Sequence, residues 1–503
     1  MSDNKRLAKT LLISGLAALL SYLINYFLTA YITENVSIEA YGFVSIAKTA
    51  VTYAQIVTIA LTNFTVRYIT VSYHKKKYDE AKGYFSSSVI ANVVLSFVIL
   101  FFALVAIFFL EHLLEIPAHL VPSVKLLFVL IFVNFTIVTI QIPFNAAAVI
   151  KNRLDIVGIF KIISYFCDAG ALLILFYLFK PSVWFVGVGT LTATIVVFSC
   201  NTVLTKKLTP ELKCEKKFAS LQKVKNIISH GIFNSINSLG NVLNSGLDLI
   251  VSNKLLTAVE TGQIAVVKTI ESIFSLLNVT LFQALQPKLI KSYTHNDLPG
   301  FIKQLQKSMK ICGYFTNLLF AGFVALGGLY FKLWLPKEDY SLLHQLTVIT
   351  TMMYVTDGIM KPVYYVNTLT LKNAIPCFVT VGSGLLNVFA KFVLLSLTTL
   401  RSFAVVGTTS VIMLMLNLIF HPLYAAWTLK TSSKPIYQVV LRQVLSAGTM
   451  VVAFLLISKL INPSGWLGLI ASALLMSAVG LVIHILCVCT REEITALTKK
   501  IKH

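Results

Sequence analysis

Two lysines stand where a membrane span would carry apolar side chains. YGFVSIAKT (residues 41–49) sets Lys48 six positions past Gly42, and TGQIAVVKT (261–269) sets Lys268 six positions past Gly262. An ionisable group inside a span costs roughly 2.5–3.5 kcal/mol on insertion scales, so it faces protein, a cavity or a partner. Two readings stand open. Either both ammonium groups snorkel to the nearer interface, or both line a cleft between two halves of the chain. In a cleft, two compact positive charges would bind a phosphate or pyrophosphate. Glu271, three positions after Lys268, is placed to neutralise that lysine in part.

Asp357 and Lys361 stand at i and i+4, just before Pro362. They read first as an intrahelical pair that lowers the cost of burying both. The second reading is a gating or ion-coupling pair at a proline-broken helix, where freed carbonyls coordinate a cation. Asp248 and Asp168 are single acids inside apolar runs. Each could carry a coupling proton or sodium ion, or be satisfied by a neighbouring Asn or Ser; for Asp168 the structural reading is preferred. Asn234, Asn237, Asn241 and Asn244 recur every three to four residues and mark one polar helical face. With Asn25 in the first apolar run, that face is either interhelical hydrogen bonding or the wall of a wet cavity. Amide and hydroxyl groups of such a wall suit a sugar. Lys161 and Lys391 read as snorkelling. The seven cysteines show neither metal nor disulfide spacing, so no metal site or cofactor is expected beyond a coupling H+ or Na+.

The elements that position these residues are membrane helices. Apolar residues make up 57% of the 503, charged residues 12%, and mean hydropathy is +0.81; a soluble protein carries roughly twice that charged share. Fourteen apolar runs are long enough to span: 10–32, 43–66, 86–110, 121–143, 157–179, 183–204, 231–256, 262–287, 311–335, 342–368, 374–399, 403–429, 437–461 and 465–489. The chain is therefore an all-α integral membrane protein. The first run is too long for a signal peptide core and reads as a retained span. With the N-terminus placed inside, roughly three-quarters of the 42 Lys and Arg residues fall on the cytoplasmic side. HKKKYDEAK (74–82) and KKLTPELKCEKK (206–217) lie there, whereas ITENVSIEAY (32–41) and LEHLLEIP (110–117) lie outside. Both termini are thus expected in the cytoplasm. The net charge of +22 follows this membrane rule and calls for no nucleic acid.

The chain divides into an N-terminal six-helix lobe (1–204), a basic linker without a core-forming pattern (205–230), a C-terminal six-helix lobe (231–430) and two additional helices with a cytoplasmic tail (431–503). Both Gly-x5-Lys-Thr motifs open spans that run from outside to inside, so the lobes are parallel repeats.

EAYGFVSIAKT, LDLIVSNKLLTAVETGQIAVVKTI (247–270) and LYFKLWLPKEDY (329–340) resemble the multidrug/oligosaccharidyl-lipid/polysaccharide exporter superfamily, in its polysaccharide-type, O-antigen flippase-like branch. The third departs from the family pattern, with Pro336 where glycine is common. The resemblance covers roughly the first 430 residues. It implies two six-helix bundles around a central cavity, and basic cavity residues near Lys48 and Lys268 that hold a diphosphate head group. The function it implies is a flippase carrying a polyprenyl-diphosphate-linked oligosaccharide (capsule, teichoic-acid or O-antigen-like) across a bacterial plasma membrane. Alternating access would be driven by an ion gradient or potential, since no Walker-type motif is present. Membrane lipids and a glycan polymerase or ligase are the expected partners. A multidrug or metabolite cation antiporter is the alternative within the superfamily, though cationic drugs call for acidic cavities. A membrane glycosyltransferase or polymerase is the alternative of another class, and it would need clustered carboxylates or a large outer loop.

Overall fold

The computed structural model describes residues 3–294, 297–490 and 493, without the side chains of residues 3–12, 14, 230, 233 and 234. Most of the expected C-terminal tail lies outside the described residues, as does the side chain of Asn234. No strand occurs among the described residues. Among the described residues fourteen long helical segments follow one another: α1 (Asp3–Asn35), α2 (Ile38–His74), α3 (Tyr78–Phe108), α4 (Val121–Ile150), α5 (Leu154–Leu178), α6 (Trp184–Leu208) and α7 (221–255). Then come α8 (Ala258–Thr294), α9 (Leu298–Trp334), α10 (Tyr340–Leu369), α11 (Ala374–Leu397), α12 (Ser402–Leu429), α13 (Lys434–Ile461) and α14 (Gly465–Val488). Each expected span is a helix, and twelve of the fourteen are long and apolar enough to cross a membrane. The two that do not qualify are α7 and α10, which carry the asparagine row and the Asp357–Lys361 pair.

Prolines explain two irregular turns. In α4, Pro143 has no N–H to offer the Thr139 carbonyl; Asn92 of α3 donates its amide there instead, at 3.0 Å, and residues 142–145 tighten to a 3-10 turn. In α12, Pro422 deprives the Leu418 carbonyl in the same way. Tyr437 of α13 donates its hydroxyl to that carbonyl at 2.9 Å, beside the π turn Leu416–Phe420. A second π turn, Val242–Gly246, interrupts α7.

The chain packs as two compact units, residues 1–263 with 380–384, and residues 264–379 with 385–503. The first unit takes in α7, which the sequence division places with the C-terminal lobe. Close packing on α2 is the cause. A Cβ on Gly231 would run into the Ala60 carbonyl, and Tyr53 donates its hydroxyl to the Gly246 carbonyl. At the far end, Asn253 exchanges hydrogen bonds with the main chain of Glu115, accepting at 2.9 Å and donating at 3.2 Å.

The linker is also more ordered than its composition implies. Leu212 and Ile227 are buried with Leu61, Ile69 and Phe85. The Glu215 and Ser220 amides donate to Ser86 Oγ and Ser87 Oγ of α3, at 3.0 and 2.9 Å. Two apolar anchors and two serines bind a lysine-rich strap to the ends of α2 and α3. In the second unit Met309 of α9, Ile359 and Val363 of α10 and Val440 of α13 build the core.

Candidate functional site

In the first unit the Lys48 ammonium donates to Asn25 Oδ1 on α1 at 3.2 Å, and Asn25 Nδ2 is tied back to the Ser21 carbonyl at 2.8 Å. Helix α2 begins at Ile38, earlier than the expected position 43. Lys48 therefore lies ten residues into α2 and Asn25 ten residues before the end of α1, about 15 Å from that end at 1.5 Å per residue. The ammonium is exposed and lies level with Asn25 rather than at the α1–α2 connection. Asp168 of α5 lies within electrostatic reach of Lys48, and its Oδ1 is buried without a hydrogen-bond partner.

In the second unit Lys268 also lies ten residues into its helix, because α8 begins at Ala258 rather than 262. Its ammonium pairs with Glu271 Oε2 at 2.8 Å, one turn farther from the helix start. Glu271 Oε1 accepts from the Tyr354 hydroxyl at 3.2 Å. One turn along α10, Asp357 Oδ2 receives Lys361 at 3.2 Å and the Asn278 amide at 2.9 Å, while Oδ1 faces the Tyr364 hydroxyl at 3.1 Å. Tyr364 also meets Asn417 Oδ1 at 2.6 Å, and Asn417 Nδ2 donates to Thr356 Oγ1 at 3.1 Å. The His421 ring packs on Tyr364 with centroids 4.5 Å apart. Two polar sets thus follow one another along α10: Tyr354 with Glu271 and Lys268 of α8, and Asp357 with Lys361, Asn278 of α8 and, through Tyr364, Asn417 of α12. Helix α10 runs unbroken through Pro362 from Tyr340 to Leu369. The expected proline break is absent: Pro362 has no N–H to offer the turn before it, but the packing of the buried Met360 and Val363 holds the helix through that position.

The sequence marks both ion pairs by their i+3 and i+4 spacing, but not Tyr354, Tyr364, Asn278 or Asn417. Tyr354 and Tyr364 stand three before and seven after Asp357, positions on one helical face, and that spacing was the available signal.

The remaining sequence candidates separate. Asp248 is 1% exposed at the start of the last segment of α7, just past its π turn. Asn237 and Asn241 are exposed, whereas Asn244 is buried, its amide shared among the carbonyls of Gly240 and Thr380 and Ser383 Oγ. The asparagine row is therefore not one wet face; Asn244 joins α7 to α11. Lys391, expected to snorkel, is completely buried in α11. One turn earlier Asn387 donates to Thr409 of α12 at 3.1 Å. No group of three metal-ligating side chains occurs among the described residues.

The second unit also holds an apolar groove of about 430 Å3 between α8, α9, α13 and α14, lined by Ile270, Phe274, Phe315, Gly322, Phe454 and Met476 among others. Phe274 belongs to both sites, since its ring lies 5.6 Å from that of Tyr354. The Tyr354 set and the apolar groove share one stretch of α8.

Residues 7–292 match the model of a family described as polysaccharide biosynthesis protein. Over 486 residues the chain is 24% identical to an uncharacterized membrane protein, EpsK, of Bacillus subtilis (strain 168), covering 97% of this chain and 96% of that one. Its fold is similar to that of the lipid II flippase MurJ in an inward closed conformation (TM-score 0.61, 13% identity, 94% of this chain and 99% of that one). It is also similar to an inward-facing multidrug resistance MATE family transporter of the MOP superfamily (TM-score 0.58, 14% identity, 86% and 97%). The resemblance read from the sequence motifs agrees with these matches.

Proposed function

The chain belongs to the polysaccharide biosynthesis protein family, and from that membership we propose that it turns a polyprenyl-diphosphate-linked oligosaccharide from the inner to the outer leaflet. The setting is a bacterial plasma membrane, with both termini cytoplasmic, as the basic loops favour. The observation that carries the proposal is the depth of the two lysines. Lys48 reaches Asn25 and Lys268 reaches Glu271, each about 15 Å inside its helix, where an anionic head group gives a lysine a reason to be retained. The apolar groove beside Phe274 suits the polyprenyl tail, and exposed Asn237 and Asn241 suit the sugars. Asp248 and the Asp357–Lys361 pair are the candidate groups for coupling to an ion gradient. A glycan polymerase or ligase is the natural partner for the delivered product. The cation-antiporter reading is the weaker one, because in both pairs of the second unit the lysine is more exposed than its acid.

Glycan export in cells tests the proposal. Lys48→Ala and Lys268→Ala should each abolish export while the protein stays at normal level in the membrane. Normal export by the double variant would sink the diphosphate reading.

A further inference from the structure

In the two ion pairs of the second unit, the acids and the lysines are held differently. Glu271 and Asp357 are each 8% exposed and keep other partners: Tyr354 for Glu271, Asn278 and Tyr364 for Asp357. Among side chains, Lys268 is 18% and Lys361 26% exposed, against 10% and 11% for their acids. The carboxylates are the more buried members of both pairs, and Lys361 also lies over the Tyr364 ring, 5.5 Å from its centroid. An arriving anion would meet the lysines first.

We propose that Lys268 and Lys361 are two latched anion-binding groups, each paired with its own carboxylate until a phosphate of the cargo draws its ammonium group away. Glu271 and Asp357 stay in place and each binds one proton from solvent as its lysine leaves. This rests on the reading above that the cargo carries a phosphate. The proton follows from electrostatics. A buried carboxylate stripped of its cation is costly, and protonation removes that cost.

The wiring around Asp357 already accommodates the proton. The single Tyr364 hydroxyl hydrogen faces two acceptors, Asp357 Oδ1 at 3.1 Å and Asn417 Oδ1 at 2.6 Å, while Asn417 Nδ2 is engaged by Thr356. One hydrogen serves one of them. With a proton on Oδ1, Asp357 donates to the Tyr364 oxygen and Tyr364 donates to Asn417, so each oxygen in the chain is served. The other titratable groups facing Asp357 are Tyr354 on its own helix, Cys312 of α9 and His421 of α12, and Tyr354 in turn meets Glu271 of α8 with its Lys268. Outside the two latches, the His421 imidazole is the group beside Asp357 that could also take up a proton, and the comparison with Glu271→Gln/Asp357→Asn separates its share.

The test is calorimetry of inorganic pyrophosphate binding to the full chain in nanodiscs at pH 7, in HEPES and in Tris. The difference in heat between the two buffers counts protons taken up. Wild type should take up more protons than Glu271→Gln/Asp357→Asn, and the double variant should bind more tightly. Lys268→Gln and Lys361→Gln should each weaken binding about tenfold or more, as loss of a charge-assisted contact does, with Lys361→Arg restoring it. Equal proton counts in wild type and the double variant would overturn the latch, as would wild-type affinity in Lys361→Gln or no binding to wild type. Thermal melting confirms that each variant is folded. If the double variant does not fold, each single variant reads the same difference. Glycan export distinguishes this from the function itself. Export that persists in a strain lacking the protein removes the flippase reading and leaves the pyrophosphate result standing. Export that needs the protein, with unchanged proton counts, removes only the latch.

Discussion

Gly42 and Gly262, the glycines that open the two repeated motifs, touch each other. A Cβ on Gly42 would lie 3.0 Å from the Gly262 amide nitrogen and 3.1 Å from its Cα, and one on Gly262 would strike the Ile38 carbonyl. The motif therefore does two jobs at one spacing. Its glycine lets α2 and the first turns of α8 cross backbone to backbone, and its lysine lies six residues deeper.

That crossing ranks two substitutions. Gly262→Ala drives a methyl into a backbone carbonyl that cannot rotate away, and should cost ~1–3 kcal/mol as overpacking does. Gly42→Ala presses on backbone atoms of Thr261 and Gly262 by only a few tenths of an ångström, partly offset by the gain in helix propensity, so it should cost less than Gly262→Ala. Thermal melting of the purified protein checks the order. A Gly42→Ala variant less stable than Gly262→Ala would contradict the crossing geometry.

Asn25 offers a test of how Lys48 is held. Its side-chain oxygen is the acceptor recorded for the ammonium. Asn25→Ala should leave the charge in place but free to reorient, so export should fall partially, whereas Lys48→Ala removes it altogether. Asn25→Asp should lower export at least as far as Asn25→Ala, because a carboxylate would hold the lysine away from an anionic cargo. An Asn25→Asp variant that exports normally would show that Lys48 does not meet the cargo.

The linker strap should respond to acid. Glu215 is held below its ordinary carboxylate range first by hydrogen bonds from Lys82 and Lys217, its partners at 2.9 and 3.1 Å. A carboxyl whose folded pKa is depressed contributes stability above its unfolded value, near 4.3, and that contribution is lost as pH falls through the folded value. Amide exchange over residues 213–220, corrected for intrinsic rate, should therefore rise as pH drops below about 4.3. Glu215→Gln should exchange faster at neutral pH and lose the acid step. A profile identical in wild type and Glu215→Gln would dismiss the cluster as a clamp.

These cases show where sequence reasoning was sufficient. Helices were legible because apolar runs and loop charge report the solvent each residue meets. Lys268–Glu271 and Asp357–Lys361 were legible because three- and four-residue spacing fixes neighbours within one helix. Tyr354 reaching Glu271, Asn417 reaching Tyr364 and Leu212 holding the strap are contacts between elements, and composition does not encode which helix faces which. Lys391 illustrates the same limit. In the sequence it is one lysine in an apolar run, and only the packing of α11 distinguishes burial from snorkelling. The groove was invisible for a different reason: a lipid-facing helix and a groove wall have the same composition.

Gly322 allows the groove to be tested without disturbing the fold. It lines the cavity, and a Cβ there would meet nothing within 4 Å. Gly322→Leu should fold normally and melt at the same temperature or higher, since replacing a helical glycine gains about 0.5–1 kcal/mol. The new side chain would occupy space that the proposed polyprenyl tail needs, and export should fall. Gly322→Ala, which adds one methyl, should retain most of the export and serves as the graded control. Full export by Gly322→Leu, with unchanged melting, would mean that the tail does not enter between α8, α9, α13 and α14. The polar sets along α10 would then act on the head group without an adjoining seat for the tail.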